Sequence, residues 1–185
     1  MTNIIESLKT LIGSLTDEEP MPPLHVGEVM HIWTLLTMYS EGQMFYEVAQ
    51  NTTTDPELLH AVKEAQRTSL DESNSIRDFL VKEGVPLPSS YDPKPDSNPA
   101  EVPLGAKLSD EEIANLIVGK VSGCIALCGA ALAQSLRNDV GMLFLKQLGI
   151  LLNFGTPYKA LMRKRGWLKN PPFYYPPGGE PAPQR

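Results

Sequence analysis

Two Glu-x-x-His strings are the part of this sequence with the clearest potential for metal chemistry. They run from Glu28 to His31 and from Glu57 to His60. On a helix this spacing can place a carboxylate and an imidazole on one face, as in bundles that bind two iron or manganese ions. The phase of the neighbouring apolar residues, however, puts Glu28 at the edge of its stripe and the other three residues away from theirs. We therefore expect both strings to face solvent.

A second set of possible metal ligands is more scattered and consists of His25, Glu28, Glu47 and Asp139. His25 and Glu47 fall on the inward stripe of the first long helix, and Glu28 follows His25 closely enough for the two to share a partner. Each also has a structural interpretation, in which His25 is hydrogen-bonded at one end of a bundle and Glu47 reaches past a turn to water. We expect no cofactor, with iron or manganese as the alternative.

The second half of the chain argues against a complete metal site. A di-metal bundle takes ligands from all four helices, yet no Asp, Glu or His occurs from Ile113 to Leu136 or from Val140 to Met162. The first of these runs is apolar or small almost all round, so we expect that helix to be buried on most sides. Nucleophile motifs and phosphate-binding glycine loops are also missing from the sequence, so we predict no catalytic residues.

Arg137 and Asp139 lie where the third predicted helix meets the fourth. They could pair with each other or reach His25 and Glu28, depending on which end of the bundle they share. A buried Arg–carboxylate–His cluster is a structural device at least as often as a catalytic one. We expect a structural or recognition role for Arg137.

The elements that position these residues predict an all-α protein of the ferritin-like four-helix-bundle class. A prolyl-rich linker follows the second helix and is long enough to cross the bundle, as the single crossover of a ferritin-like topology requires. Pro157 should bend or break the fourth helix. The predicted segments of the single bundle, residues 1–170, are an N-terminal helix at 1–16, long helices at 24–50, 55–84, 109–138 and 139–165, and the linker at 85–108; an extended Pro/Tyr-rich tail follows at 171–185.

Composition limits the possible partners and location. The 185 residues carry a net charge of -6, which argues against a nucleic-acid-binding surface. The N-terminus has no signal-peptide pattern, and the longest apolar stretch, residues 121–133, is shorter than the about 20 residues of a membrane span. Cys124 and Cys128 sit four apart in an apolar helix and should pack as free thiols. We expect a cytoplasmic site of synthesis, without a membrane span.

Four strings give the chain a family resemblance: residues 22–30, 51–55, 134–142 and 165–178. Their order and spacing resemble an uncharacterised ferritin-like family of endospore-forming bacteria, related to spore coat proteins of the coat-protein-F type. The resemblance spans residues 20–178. It implies a ferritin-like bundle with a structural or assembly role in the spore coat and no catalytic activity.

The resemblance also implies partners. These are other spore coat proteins and a second copy of the chain, because longer relatives carry the bundle twice, and deposition in the spore coat would follow synthesis. The predicted interaction residues are Arg137, Trp167, Phe173, Tyr174 and Tyr175. The tail tyrosines could dock on a partner, become cross-linked, or fold back on their own bundle.

Two other functions remain open at this point. One is a ferritin-like metalloprotein of the di-iron or manganese oxidase type with a partial site. The other is a small-molecule-binding bundle, with a pocket near Gln134 between the third helix and the first pair.

Overall fold

The computed structural model describes residues 6, 10, 21–89, 91–172, 174, 175 and 177. Within this part of the chain the protein is all-helical, without strands. The four long helices are α1 (Val26–Gln50), α2 (Pro56–Lys82), α3 (Asp110–Gln134) and α4 (Asn138–Arg165). The predicted N-terminal helix lies outside the described residues except for Glu6 and Thr10, which are helical, and Phe173 and most of the predicted tail also lie outside them.

Local capping explains where the helices begin and end. The Asp55 carboxylate accepts a hydrogen bond from Leu58 N at 2.9 Å, with Pro56 in the first turn, and Ser109 forms a capping box at the start of α3. Gly166 ends α4 in the left-handed conformation, at φ 73°, which glycine adopts at little cost. These three signals were readable in the sequence. The sequence did not reveal the N-terminal cap of α1, because His25 fills a position that usually belongs to Ser, Thr, Asp or Asn.

The third helix ends four residues earlier than the sequence suggested. It stops at Gln134 rather than 138, because Ser135 and Arg137 have extended backbones, with ψ near 130°. The freed N–H groups of Leu136 and Arg137 donate to the Glu28 carboxylate instead of continuing a helix. In contrast, α4 continues without a break through Pro157 to Arg165.

Contacts at the two ends of the bundle fix its topology. At the joint end, which we define as the end where α3 gives way to α4, Arg137 meets Glu83 from the end of α2. At the opposite end, the turn end, Thr53 from the α1–α2 turn donates to Asp110 at 2.6 Å. The linker between α2 and α3 therefore runs the length of the bundle. Helices that pack against each other are antiparallel, whereas α2 and α3, which the linker joins, run in the same direction. The closest pairs are α1 with α2 and α3 with α4.

The core confirms the predicted inward stripe of α2 and corrects that of α1. Leu58 and Val62 are fully buried. For α1, the spacing of apolar residues predicts an inward stripe through Val26, Val29, Trp33, Leu36 and Met44, yet Val26 and Trp33 are 85% and 39% exposed. The helix is apolar on several faces, so the hydrophobic pattern alone did not fix its rotation. As a result His31, predicted to face solvent, is half-buried and packs edge-on against the ring of Phe144.

The prediction that α3 is buried on most sides was wrong. Only 28% of its most apolar stretch lies inside the bundle. By length and composition the helix could also cross a membrane, although core helices of other proteins pass the same test. Its inward face holds Ile113, Ile117 and Cys124, whereas Leu116 is 51% exposed. Small residues without charge extend this exposed face toward the joint end.

Candidate functional site

The joint end holds the densest cluster of polar side chains, centred on Arg137. This residue is 4% exposed. Its guanidinium donates two hydrogen bonds to Glu83, at 2.7 and 3.0 Å, and two to Asp139, at 3.0 and 2.6 Å. A fifth contact runs to the carbonyl oxygen of Pro22 at 3.2 Å. The cluster thus ties α2, α4 and the chain before α1 to one cation.

Glu28 extends this cluster to α1. One carboxylate oxygen accepts hydrogen bonds from the backbone N–H groups of Leu136 and Arg137, both at 2.9 Å. The other accepts from the backbone N–H of His25 at 3.1 Å. The residue is 2% exposed. Glu28 therefore replaces the missing helical hydrogen bonds at the α3–α4 joint.

His25 acts as a helix cap in the same cluster. Its Nδ1 atom accepts from the backbone N–H groups of Gly27 and Glu28, at 3.0 and 3.4 Å. Its Nε2 atom lies 3.3 Å from the carbonyl oxygen of Gln134 and 3.7 Å from Glu28. Both ring nitrogens are thus engaged in holding α1 against the end of α3.

Hydrogen bonds and opposite charges in the cluster stabilise the ionised forms of Arg137 and Asp139. The hydrogen bonds that Arg137 donates to Asp139 and Glu83 raise the pKa of its guanidinium above the ordinary value. Burial is the largest single influence on Asp139 and opposes its ionisation, but the hydrogen bonds and charge of Arg137, together with the backbone N–H of Val140, outweigh it and lower the pKa of that carboxyl group. The sequence left open whether Arg137 and Asp139 pair with each other or reach His25 and Glu28; in the structure all four lie in this one cluster. They form a closed network of ion pairs and hydrogen bonds that joins the ends of all four helices.

Glu47 lies near the other end of α1 and has a different task. Its carboxylate accepts hydrogen bonds from the Tyr91 hydroxyl at 3.2 Å and from Lys94 N at 2.7 Å. Both partners belong to the linker. Nineteen helical residues separate Glu47 from Glu28, or about 28 Å. Glu47 therefore anchors the crossover and does not join His25, Glu28 and Asp139.

At the centre of the bundle lies a half-buried cation, Lys120; its place in the sequence predicts a lysine whose amine reaches out to water, but the amine lies among aromatic rings instead. The Lys120 amine donates to the Tyr46 hydroxyl at 3.2 Å and lies 4.6 Å from the centre of the Tyr46 ring and 5.7 Å from that of Tyr39. A Cβ at Gly42 would overlap the amine, so the glycine makes room for it. In the described part of the chain no carboxylate lies within ion-pair distance of Lys120, and burial lowers the pKa of this lysine to about 8.

A second polar chain crosses the core beside the lysine. The Tyr39 hydroxyl donates to Gln147 at 2.7 Å, and the Gln147 amide donates to Glu72 at 2.6 Å. Lys146 then pairs with Glu72 at 2.8 Å near the surface. No buried side-chain nitrogen or oxygen among the described residues lacks a hydrogen-bond partner. The interior polar groups therefore satisfy one another.

The interior does not fit a di-metal centre. No three His, Cys, Asp or Glu side chains converge among the described residues, and an amine and two phenols occupy the middle of the bundle. Carboxylate and imidazole ligands from all four helices are what such a centre needs. Glu57 and His60 are exposed, as predicted, with Glu57 paired to Lys164 and Arg165. The two cysteines are buried free thiols, as expected.

Two grooves lie at the turn end, away from Gln134. One, of about 460 Å³, runs between α2 and α4 and is lined by His60, Phe154 and Tyr158 among others. The other, of about 640 Å³, borders the start of α3 and Lys169. Both are open to solvent. The pocket predicted near Gln134 therefore does not correspond to either of them.

The segment after α4 is anchored at its start. Trp167 is partly buried, and its carbonyl oxygen accepts a hydrogen bond from Asn115 at 3.1 Å. Tyr174 is 83% exposed and Tyr175 is 41% exposed. Of the predicted interaction residues, these two tyrosines are available to a partner, whereas Arg137 is enclosed in the joint cluster.

Comparison with known proteins assigns this arrangement to a family. The family model for a protein of unknown function, DUF3231, matches residues 15–179. The chain belongs to the DUF3231 family. Its helical arrangement, including the joint that Arg137 and Glu28 hold, lies wholly inside the matched range.

Individual relatives extend this finding. A structure of a "putative spore coat protein" from Bacillus halodurans C-125 is 30% identical and superposes with a TM-score of 0.80, covering 84% of this chain and 98% of that one. Uncharacterized protein YvdQ of Bacillus subtilis (strain 168) is 25% identical over 163 residues, 88% of this chain and 96% of the relative. A DUF305 fragment from Deinococcus radiodurans is 13% identical, with a TM-score of 0.62 over 77% of this chain and 99% of that one, and shares the fold alone.

Proposed function

We propose that this protein is a structural component of the bacterial spore coat. The observation that carries the proposal is the similarity to the Bacillus halodurans protein, at 30% identity over 84% of the chain. A second relative, 25% identical over 163 residues, comes from Bacillus subtilis. We also propose that the bundle is of the ferritin-like class, which the single long crossover supports.

The chemistry of the polar residues supports a structural role. The joint cluster uses Glu28, Arg137 and Asp139 to hold helix ends, and Glu47 holds the linker. The central lysine rests against two tyrosines, and a cavity that borders the same two tyrosines measures about 30 Å³. A substrate larger than a water molecule or two does not fit there. These observations favour binding to other proteins through the outer surface over catalysis in the interior.

The exposed tyrosines after α4 give the proposed coat role a point of contact. Tyr174 and Tyr175 are exposed, and in the sequence they come shortly after Pro171 and Pro172 and the turn-end terminus of α4. An extended, proline-rich stretch loses little conformational entropy when it docks. We propose that this segment binds other coat proteins after synthesis in the cytoplasm.

A fluorescent fusion in a sporulating Bacillus strain tests the proposal. The expected result is a ring of fluorescence around the forespore that persists in washed spores and is removed with the coat fraction. The same fluorescent protein alone controls for trapping. Diffuse fluorescence throughout the mother cell, absent from washed spores, would contradict the coat role.

A truncation separates the role of the tail from that of the bundle. A fusion that ends at residue 170 retains α4 and the Trp167 anchor. If the tail binds coat partners, this fusion stays diffuse while its circular dichroism spectrum and melting temperature match those of the full chain. Undiminished coat deposition of the truncated fusion would place the contact on the bundle instead.

A further inference from the structure

The solvent side of α1 carries large apolar side chains in the half of the helix nearest the joint end. Val26 is 85% exposed, Met30 58% and Trp33 39%. Because they follow one another at intervals of four and three residues, they form one stripe, which Thr37 continues at the next interval of four. We call these four residues the α1 stripe. No charged residue lies on this side of the helix before Glu41, and a contiguous apolar surface of this kind marks a contact site for another segment or molecule.

The rest of the bundle borders the α1 stripe without covering it. On one flank, the Trp33 indole N–H donates to the carbonyl oxygen of Pro86 in the linker at 3.1 Å. Farther along the same flank, the linker is held by Glu47. On the other flank, a Cβ at Gly123 of α3 would lie 3.5 Å from Met38. The stripe is therefore an open strip between the linker and α3.

The chain before α1 contains a segment with a complementary apolar side. That side consists of Ile4, Leu8, Leu11 and Leu15. Glu6 and Thr10 fall on the opposite side of such a helix. The structure describes both as helical and exposed, with the Thr10 hydroxyl donating to the Glu6 carbonyl oxygen at 2.9 Å. A helix of about 12 residues is marginal in water by itself, so residues 4–15 need a surface on which to bury their apolar side.

The way the chain enters the bundle limits where that surface lies. The Arg137 guanidinium donates to the carbonyl oxygen of Pro22 at 3.2 Å, which fixes the chain at the joint end. Seven residue steps separate Pro22 from Leu15, and a fully extended chain spans at most about 25 Å over that length. The surface that receives the segment is therefore close to the joint end.

The α1 stripe is the best match among the four long helices there. On α2, Asp78 and Lys82 are exposed near the joint end, and α4 has no exposed residue from 137 to 145. The exposed residues of α3 between 126 and 133 are glycine and alanine, which gain little free energy from burial. The α1 stripe, by contrast, offers a valine, a methionine and a tryptophan.

We propose that residues 4–15 form an additional helix that packs antiparallel to α1 on the α1 stripe. The apolar residues of the segment and those of the stripe both recur at intervals of four, three and four, so the two sets match when the helices run in opposite directions. The matched pairs are Ile4 with Thr37, Leu8 with Trp33, Leu11 with Met30 and Leu15 with Val26.

The antiparallel direction follows from the connection. Residues 16–25 then need only to turn at the joint end, as in other short helix–helix connections. In a parallel arrangement the same residues would first run back along α1 for about 16 Å, the length from Val26 to Thr37. The proposal does not use the coat role, so it stands or falls separately from the proposed function.

Acrylamide quenching of Trp33 tests whether the segment covers the stripe. The chain has two tryptophans, so each protein carries Trp167→Phe to leave Trp33 as the only emitter. An aromatic ring packed against a helix loses much of its exposed area, and Leu8→Glu should therefore raise the quenching constant roughly twofold. Thr10→Glu, on the opposite side of the segment, should leave it unchanged.

Two results of this measurement would overturn the proposal. One is an unchanged quenching constant in Leu8→Glu with the melting temperature of the bundle retained. The other is a Trp33 that is shielded only at high protein concentration or only with added phosphatidylglycerol vesicles, because a second copy or lipid would then cover the stripe.

Cysteine pairs test the register in the full-length chain. On oxidation, Leu11→Cys combined with Met30→Cys should form a disulfide within one chain. Thr10→Cys combined with Met30→Cys should not, and the native cysteines are buried. Equal cross-linking of both pairs, or a bond that forms only between two chains, would overturn the antiparallel packing.

Discussion

Replacing Lys120 by methionine should stabilise the protein near neutral pH. The pKa of the lysine falls from its ordinary 10.5 to about 8 because burial disfavours the ammonium form. A difference of 2.5 pKa units corresponds to about 3 kcal/mol at pH 7. Because the lysine is only half-buried, solvent screening reduces this figure, and we expect Lys120→Met to gain about 1–3 kcal/mol. Methionine is unbranched and can follow the same path between the tyrosines.

The lowered pKa of Lys120 also fixes the direction in which the free energy of unfolding changes with pH. Below pH 8 both folded and unfolded chains carry the charge, and the cost of burying it is fully present. Between pH 8 and 10.5 the folded protein releases the proton first, so stability rises with pH. From pH 7 to 9.5 the gain amounts to about 2 kcal/mol for wild type relative to Lys120→Met. The pKa of Cys128 is raised to about 12 by burial, so thiol ionisation in the unfolded chain destabilises both proteins over this range; only their difference is diagnostic.

Urea unfolding followed by circular dichroism at pH 7, 8.5 and 9.5 measures this difference. The stability advantage of Lys120→Met should be largest at pH 7 and shrink toward pH 9.5. Parallel pH profiles for the two proteins would refute the reasoning. So would a variant less stable than wild type by 2 kcal/mol or more at pH 7, since the ammonium–tyrosine contacts would then outweigh its burial.

Three further substitutions test other parts of the structure. Arg137→Met leaves Glu83 and Asp139 without their buried partner and should cost about 3–5 kcal/mol, seen as a fall in Tm of roughly 10 °C; a change below 1 kcal/mol would contradict the role of the joint cluster. Asp55→Asn should weaken the dependence of the free energy of unfolding on pH in acid, because hydrogen bonds from Arg165 lower the pKa of this carboxyl group and its contribution is lost only as pH falls below about 4. An unchanged pH dependence below pH 4 would contradict this contribution of Asp55. Gly42→Ala should destabilise wild type by about 1–3 kcal/mol but cost less beside Lys120→Ala; equal costs in both backgrounds would show that the glycine does not serve the lysine.

The sequence was sufficient for the helices and their order because local signals agreed with one another. The cap at Asp55, the capping box at Ser109 and the glycine at 166 each mark a helix end by hydrogen bonds within a few residues. The proline-rich linker likewise showed that the second and third helices could not be joined by a tight turn. Pro157 was misleading, because it lies inside α4 without ending it.

Helix rotation and burial were harder to predict because they depend on neighbours far away in the chain. Apolar residues occur on several faces of α1 and of α3, so their spacing could not distinguish the inward from the outward side of either helix. For the same reason, the sequence did not show that one face of α3 is exposed. In the candidate site, the meeting of His25, Glu28, Arg137 and Asp139 could be anticipated. The partner Glu83 and the hydrogen bonds of Glu28 to the joint could not, because they arise from the extended backbone after Gln134.

Lys120 carried a signal that could have been read more strongly. It is the single charge in a run of 22 residues, and Tyr39, Gly42 and Tyr46 follow one another at helical spacing on α1. Small and aromatic residues at intervals of three and four can form a cradle for one long side chain. What the sequence could not supply was the pairing of α1 with α3 that brings the two patterns together.

The central claim is that the polar residues of this bundle hold its helices together and do not build a reaction centre. Elemental analysis of protein purified without chelators, after exposure to iron and manganese, tests that claim most directly. We predict less than about 0.1 metal ion per chain, because Glu28 and Asp139 are engaged in the joint cluster and Glu47 in the hydrogen bonds that hold the linker. Stoichiometric iron or manganese that survives gel filtration would contradict it.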